Sequence, residues 1–198
     1  MVLSVNRDKF SGFSVKVGIA FSKVGLSPNQ WTILTIIPAL AATWLLSQES
    51  FIYAAVLFII AGFIDMVDGA VARVTGSATK FGAYLDTTVD KYVEALIIFG
   101  MVFASLPPLY FAAYVWIFLY FFGGMMTTYA KSAAKEKEIV EKELRGGLLE
   151  RAERLIILFI GILLAAANPL YLTYVVAALA VLSNITALQR IWMARRLA

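Results

Sequence analysis

Four aspartates and one arginine stand close together between residues 65 and 90. They read Asp65-Met66-Val67-Asp68-Gly69, then Ala72-Arg73, then eight residues to Gly82, then Asp86 and Asp90. The runs on either side, 52 to 64 and 95 to 106, are apolar enough to lie inside a membrane, where ionisable groups are expensive and mark function. On a helix Asp65 and Asp68 share one face, and Asp86 and Asp90 stack one turn apart. Two helices joined by the turn Thr75-Gly76-Ser77 can therefore aim all four carboxylates at one point. Bare carboxylates at such quarters repel, so a shared pocket requires shared protons or bound cations, and cations are the reading favoured here.

The chain has no His and no Cys. Zinc or haem sites built on those ligands, thiol catalysis and Ser-His-Asp chemistry are excluded. Hard oxygen ligands point to Mg²⁺, Mn²⁺ or Ca²⁺. Such a cluster suits phosphate anions: two cations about 3.5 to 4 Å apart can clamp a pyrophosphate during in-line displacement. Arg73 can add bidentate contacts to phosphate oxygens. Gly69 and Gly82, lacking side chains, permit a base or a second backbone to approach closely. One carboxylate can serve as general base on an attacking hydroxyl, and spacing alone leaves open which.

The elements that must position these groups are membrane helices. Of 198 residues 61% are hydrophobic and 15% charged, and mean hydropathy is +0.82. A soluble surface of this size needs about a quarter of its residues charged. Six apolar segments reach the length of about 20 residues that spans hydrocarbon. They run from 29 to 47, 51 to 74, 82 to 105, 108 to 133, 148 to 167 and 169 to 193. Ahead of them, 1 to 28 interleaves Val5, Phe10, Phe13, Val17 and Phe21 with Arg7, Lys9, Lys16 and Lys23, as in an amphipathic helix lying in the interface. The expected fold is all-α: a single polytopic membrane domain, 1–198, with an interfacial segment (1–28) and a six-helix transmembrane core (29–193).

All 17 Lys and Arg fall in the N-terminal segment, at 73 to 91, at 131 to 154 or at 190 to 196, and none near 48 to 50, 107 to 108 or 168 to 169. With six spans those basic regions share one side. The positive-inside bias puts both termini and the Asp cluster on the cytoplasmic face of the plasma membrane, and nucleic acid is not needed to explain the net charge of +4. The loop from Lys135 to Arg145 alternates charge as a solvated helical stretch does.

The order D-x2-D-G-x2-A-R-x8-G-x3-D-x3-D, present here without a gap, resembles the signature of the CDP-alcohol phosphatidyltransferases. That resemblance implies that Asp65, Asp68 and Asp86 hold metal, two Mg²⁺ (or Mn²⁺) ions, and that Asp90 abstracts the proton, itself also a metal ligand. It implies a CDP-linked lipid donor lying against Gly69, Arg73, Thr79 and Gly82, with Pro28, Asn29, Gln30 and Trp31 at the start of the first span contributing. The implied reaction joins that lipid to a small polar alcohol and releases CMP, in phospholipid biosynthesis, within a homodimer.

The segments Tyr129-Ala130-Lys131 and Arg145 to Leu155 are similar to the branch that makes phosphatidylinositol phosphate and its archaeal ether-lipid counterpart. That branch uses inositol phosphate, and Lys131, Arg151, Arg154 and Arg195 would supply the matching charge. The alternative acceptor is glycerol 3-phosphate, as in phosphatidylglycerophosphate synthase. From a different class, a cation-coupled transporter would also place Asp residues in a membrane. The sequence lacks the inverted repeats and broken helices such a transporter needs, and its Asp residues lie toward one face of the membrane rather than its midplane.

Overall fold

The computed structural model describes residues 7–140, 144 and 146–198, with side chains from residue 12 on. The regular structure of the described residues is helical. It comprises α1 (Arg7–Ser22), α2 (Pro28–Leu34), α3 (Ile36–Ser47), α4 (Phe51–Thr75), α5 (Lys80–Val102), α6 (Ala113–Glu136), α7 (Arg151–Ala165) and α8 (Pro169–Leu197). The side chains before residue 12, and Glu141, Lys142, Glu143 and Arg145 of the charged loop, lie outside the described residues.

Among the described residues, three segments are long and apolar enough to cross a membrane: Pro28–Ser47, Phe51–Thr75 and Pro169–Leu197. Six were expected, and the difference has local causes. Helix α5 carries Lys80, Asp86, Asp90, Lys91 and Glu94 in its first two-thirds. Helix α6 dilutes its apolar run with Gly123, Gly124, Thr127 and Thr128. Helix α7 has 15 residues, about 22 Å at a rise of 1.5 Å per residue.

The chain forms two compact units, one of residues 1–44 with 56–97 and the other of 45–55 with 98–198. In the first, Ser27 starts α2 with a reciprocal cap: its hydroxyl accepts the Gln30 N–H at 3.4 Å and the Gln30 side-chain oxygen accepts the Ser27 N–H at 2.8 Å. Helix α4 stops at Gly76, whose φ of 65° lets the Ser77 N–H reach back to the Ala72 carbonyl at 3.1 Å. Three residues later Thr79 caps α5, its hydroxyl accepting the Gly82 N–H at 2.9 Å. Two capped ends thus make the tight corner that the Thr75-Gly76-Ser77 spacing called for.

Helix α1 is docked on this unit. Val17, Trp31, Val67, Ala70 and Val71 form its buried cluster, and Phe21 meets Trp31 edge-on at 5.4 Å and Phe63 at 5.7 Å. Gly18 makes the approach possible. A Cβ there would lie 2.6 Å from the Ala70 carbonyl oxygen and 2.7 Å from Val74 Cγ2. Phe13, Val15 and Ile19 stay exposed.

In the second unit α6 and α7 each pack on α8. Small residues set the approach, as is usual between membrane helices. A Cβ on Gly123 would meet the Asn184 backbone nitrogen at 2.9 Å, and one on Gly161 would meet Val175 Cγ1 at 2.7 Å. The loop ahead of α7 is tied to α8, with Leu148 N–H donating to the Gln189 side chain at 3.0 Å and Leu149 N–H to Thr186 Oγ1 at 3.2 Å. In the turn after α3, Glu49 accepts the Ser105 N–H at 3.1 Å, and hydrogen bonding from the Ser105 side chain and backbone holds its carboxyl below the usual range.

Candidate active site

On α4 Asp65 lies about two turns and Asp68 about one and a half turns before Arg73, and Asp86 lies in the second turn of α5. Asp65, Asp68 and Asp86 each bring a carboxylate oxygen within 4.8 Å of the others. That is the chemistry of a divalent-cation site: hard, anionic oxygens from two elements converging on one point. Asp68 is the buried member, 5% exposed, while Asp65 and Asp86 are half-buried. Asp90, one turn further along α5, is outside this group of three, yet its charge and that of Asp86 both act on Asp68.

Burying Asp68 takes a donor from elsewhere in the chain. Thr32 on α2 supplies it, its hydroxyl lying 2.6 Å from Asp68 Oδ2 and 3.1 Å from the Pro28 carbonyl. A hydroxyl has one proton, and the shorter contact to an anionic oxygen takes it. Thr32 was not among the residues expected from sequence. What could have pointed to it is its place three residues after Asn29, on the same face of a capped helix.

Beside the aspartates is a cavity of about 200 Å³, lined by Pro28, Asn29 and Thr32 from α2, by Asp68, Gly69, Ala72 and Arg73 from α4, and by residues from Ser77 to Asp86 including Thr79 and Gly82. Six of the residues expected to hold the donor are therefore in its wall: Pro28, Asn29, Gly69, Arg73, Thr79 and Gly82. Both glycines act by what they lack. A Cβ on Gly82 would lie 3.1 Å from Asn29 Oδ1 and from Thr79 Oγ1, and one on Gly69 would lie 3.2 Å from Arg73 Nη1. The Arg73 guanidinium rests over bare backbone.

Gln30 and Trp31 are elsewhere. Gln30 is occupied by the α2 cap, and Trp31, 6% exposed, is packed in the apolar cluster.

In the second unit the expected cations are of different kinds. Lys131 and Arg151 are half-buried on α6 and at the start of α7, and Arg195 is exposed in the last turn of α8. Arg154 is 1% exposed and donates from Nη1 to Thr127 Oγ1 at 3.0 Å. Arg190, which sequence reasoning had only as part of a basic tail, is 8% exposed. It donates from Nη1 to the Thr127 carbonyl at 2.7 Å and from Nε to the Gly146 carbonyl at 3.1 Å, and it is near enough to Arg154 for their charges to interact.

The profile of the CDP-alcohol phosphatidyltransferase family matches residues 26–188, and the chain belongs to that family. It is a membrane enzyme that transfers a phosphatidyl-type group from a CDP-linked alcohol. Among its relatives, an archaetidylinositol phosphate synthase of Pyrococcus horikoshii is 33% identical, over 98% of this chain and 97% of its own. A phosphatidylinositol phosphate synthase of Corynebacterium glutamicum is 32% identical, over 87% of this chain and 79% of its own. The phosphatidylinositol phosphate synthase of Mycobacterium tuberculosis, crystallised with CDP-DAG, superposes with a TM-score of 0.79 at 27% identity, over 91% of this chain and 92% of that one. The same enzyme in complex with manganese and citrate gives 0.80 at 26% identity, over 92% of this chain and 88% of that one.

Proposed function

We propose that this chain transfers the phosphatidyl or dialkyl-ether analogue group of a CDP-linked lipid to inositol phosphate, releasing CMP. The observation that carries it is the convergence of Asp65, Asp68 and Asp86 to within 4.8 Å at a cavity walled by Asn29, Arg73, Thr79 and Gly82. The names of the relatives favour inositol phosphate over glycerol 3-phosphate, which stays the alternative acceptor. Domain 1–198 then acts as one catalytic membrane domain.

Asp65, Asp68 and Asp86 hold Mg²⁺ or Mn²⁺, two ions with Asp90 as a further ligand. When bound, the cations neutralise the diphosphate and make its phosphorus more electrophilic. The protein's own groups do the rest. Thr32 fixes the Asp68 carboxylate, Asn29 and Thr79 meet the nucleotide through the gap left by Gly82, and Arg73 takes phosphate oxygens. Gln30 and Trp31 support this wall from behind, through the cap and the packing of α2. Asp90 accepts the proton of the acceptor hydroxyl, whose oxygen then bonds to the lipid-side phosphorus. The bond from that phosphorus to the bridging oxygen breaks, and CMP leaves with the oxygen. Lys131, Arg151, Arg154 and Arg195, joined by Arg190, answer the dianionic phosphate of the acceptor.

In the membrane, α5, α6 and α7 complete six spans around polar interiors, both termini face the cytoplasm, and the enzyme works as a homodimer. The donor's chains then stay in hydrocarbon while its nucleotide stays in water.

The test is CMP release from a CDP-lipid by purified protein in detergent with inositol phosphate, glycerol 3-phosphate or serine. Inositol phosphate is expected to give the highest kcat/KM, with glycerol 3-phosphate second. Preference for serine overturns the acceptor, and undiminished CMP release in EDTA overturns the metal site.

A further inference from the structure

Arg73 belongs to two cavities of the first unit. It lines the one that contains Asp68 and Asp86, and with Ser14, Val15, Ala70 and Val74 it lines another of about 380 Å³. Its Nη2 donates to Ser14 Oγ on α1 at 2.7 Å, while its Nη1 sits over Gly69. The guanidinium is thus held from both sides, by a hydroxyl on one and by bare backbone on the other.

We propose that Ser14 is a positioning residue for the donor site, holding the exposed Arg73 in the orientation that meets the diphosphate. The inference rests on the donor reading given above. Arginine has a long side chain whose rotamer freedom must be lost on binding, and a residue that removes this freedom beforehand raises affinity. Ser14 uses one of the five guanidinium N–H groups and leaves the others for the ligand. Its position follows from Gly18, one turn later on α1, which brings the helix against the Ala70 carbonyl. Val17 and Phe21 anchor α1 without help from Ser14, so removing the hydroxyl leaves the helix docked and frees only the arginine.

The experiment measures CMP release from CDP-diacylglycerol, with inositol phosphate and glycerol 3-phosphate as acceptors, for wild type, Ser14→Ala, Ser14→Thr, Arg73→Lys and the double variant Ser14→Ala/Arg73→Lys. Ser14→Ala is expected to raise the donor KM about fivefold, the size that one net hydrogen bond carries, with acceptor KM unchanged. Ser14→Thr keeps the hydroxyl and restores the wild-type donor KM. In the Arg73→Lys background the Ser14→Ala change adds less than twofold, because the group it positions is gone. An equal loss in both backgrounds, or no rescue by Thr, assigns Ser14 a structural role and overturns the proposal. Active wild type with an unchanged Ser14→Ala variant defeats this inference alone, whereas wild type that releases no CMP with either acceptor defeats the donor reading as well.

Discussion

The Thr32 hydroxyl and Asp68 Oδ2, 36 residues apart in sequence, meet at 2.6 Å with both side chains buried. The bond turns Oδ2 of Asp68 toward α2 and so sets the orientation of the whole carboxylate. Outer hydrogen bonds of this kind orient a ligand, and their loss costs about 10- to 100-fold in metal affinity. Thr32→Val keeps the shape and removes the donor. It is expected to raise the Mg²⁺ or Mn²⁺ concentration for half-maximal CMP release about tenfold, with most of the wild-type rate returning at saturating metal. An unchanged metal titration would show that Asp68 needs no such orientation.

Asp90 lies one turn beyond Asp86 on α5, close enough for its charge to act on Asp68, and the proposed reaction gives it the proton of the acceptor hydroxyl. Asp90→Asn preserves shape and removes basicity. CDP binding, followed by titration with the free nucleotide in the presence of Mn²⁺, is expected to stay within threefold of wild type, and turnover is expected to fall about 10²- to 10⁴-fold. Full turnover in Asp90→Asn would pass the role of base to another carboxylate.

What the sequence made legible was local. Asp65 and Asp68 share a face because helices repeat every 3.6 residues, and the corner that brings Asp86 to them is written in Gly76 and in Thr79, which caps α5. Partners that depend on packing were not legible. Nothing near Thr32 or Ser14 names Asp68 or Arg73 as its contact, and those pairs exist only because α1 and α2 dock on α4. Local packing also occupies two expected side chains: Gln30 satisfies its own helix start, and Trp31 fills the apolar cluster with Val67 and Val71. The span count differs for a related reason: α5 and α6 bury Glu94 and Thr127, polar residues within runs that were read as apolar spans.

Gly82 tests whether the cavity wall is as tight as it looks. A Cβ there would press on Asn29 Oδ1 and Thr79 Oγ1, each at 3.1 Å, and Thr79 is not free to retreat because it caps α5 through the Gly82 N–H. Gly82→Ala is therefore expected to raise the donor KM about tenfold, roughly 1.4 kcal/mol, while the metal titration stays as in wild type. A larger shift in metal requirement than in donor KM would mean that the glycine serves the aspartates and not the nucleotide.

Gly123 tests the second unit in the same way, through stability. Helix α6 approaches α8 so closely there that a Cβ would lie 2.6 Å from Asn184 Nδ2 and 2.9 Å from the Asn184 backbone nitrogen. The Asn184 side chain cannot simply swing aside, since its amide donates to the Leu119 carbonyl at 2.9 Å and to the Ala180 carbonyl at 2.8 Å. Overpacking a helix crossing typically costs about 1 to 3 kcal/mol, so Gly123→Ala is expected to lower the Tm in detergent by several degrees. Gly62 is the matched control. It lies on α4 with nothing within 4 Å of an added Cβ, and there the helix propensity of alanine is expected to stabilise by up to about 1 kcal/mol. Parallel thermal unfolding of Gly123→Ala and Gly62→Ala separates the two effects. Equal shifts in one direction would mean that the contact between Gly123 and Asn184 does not set how α6 meets α8.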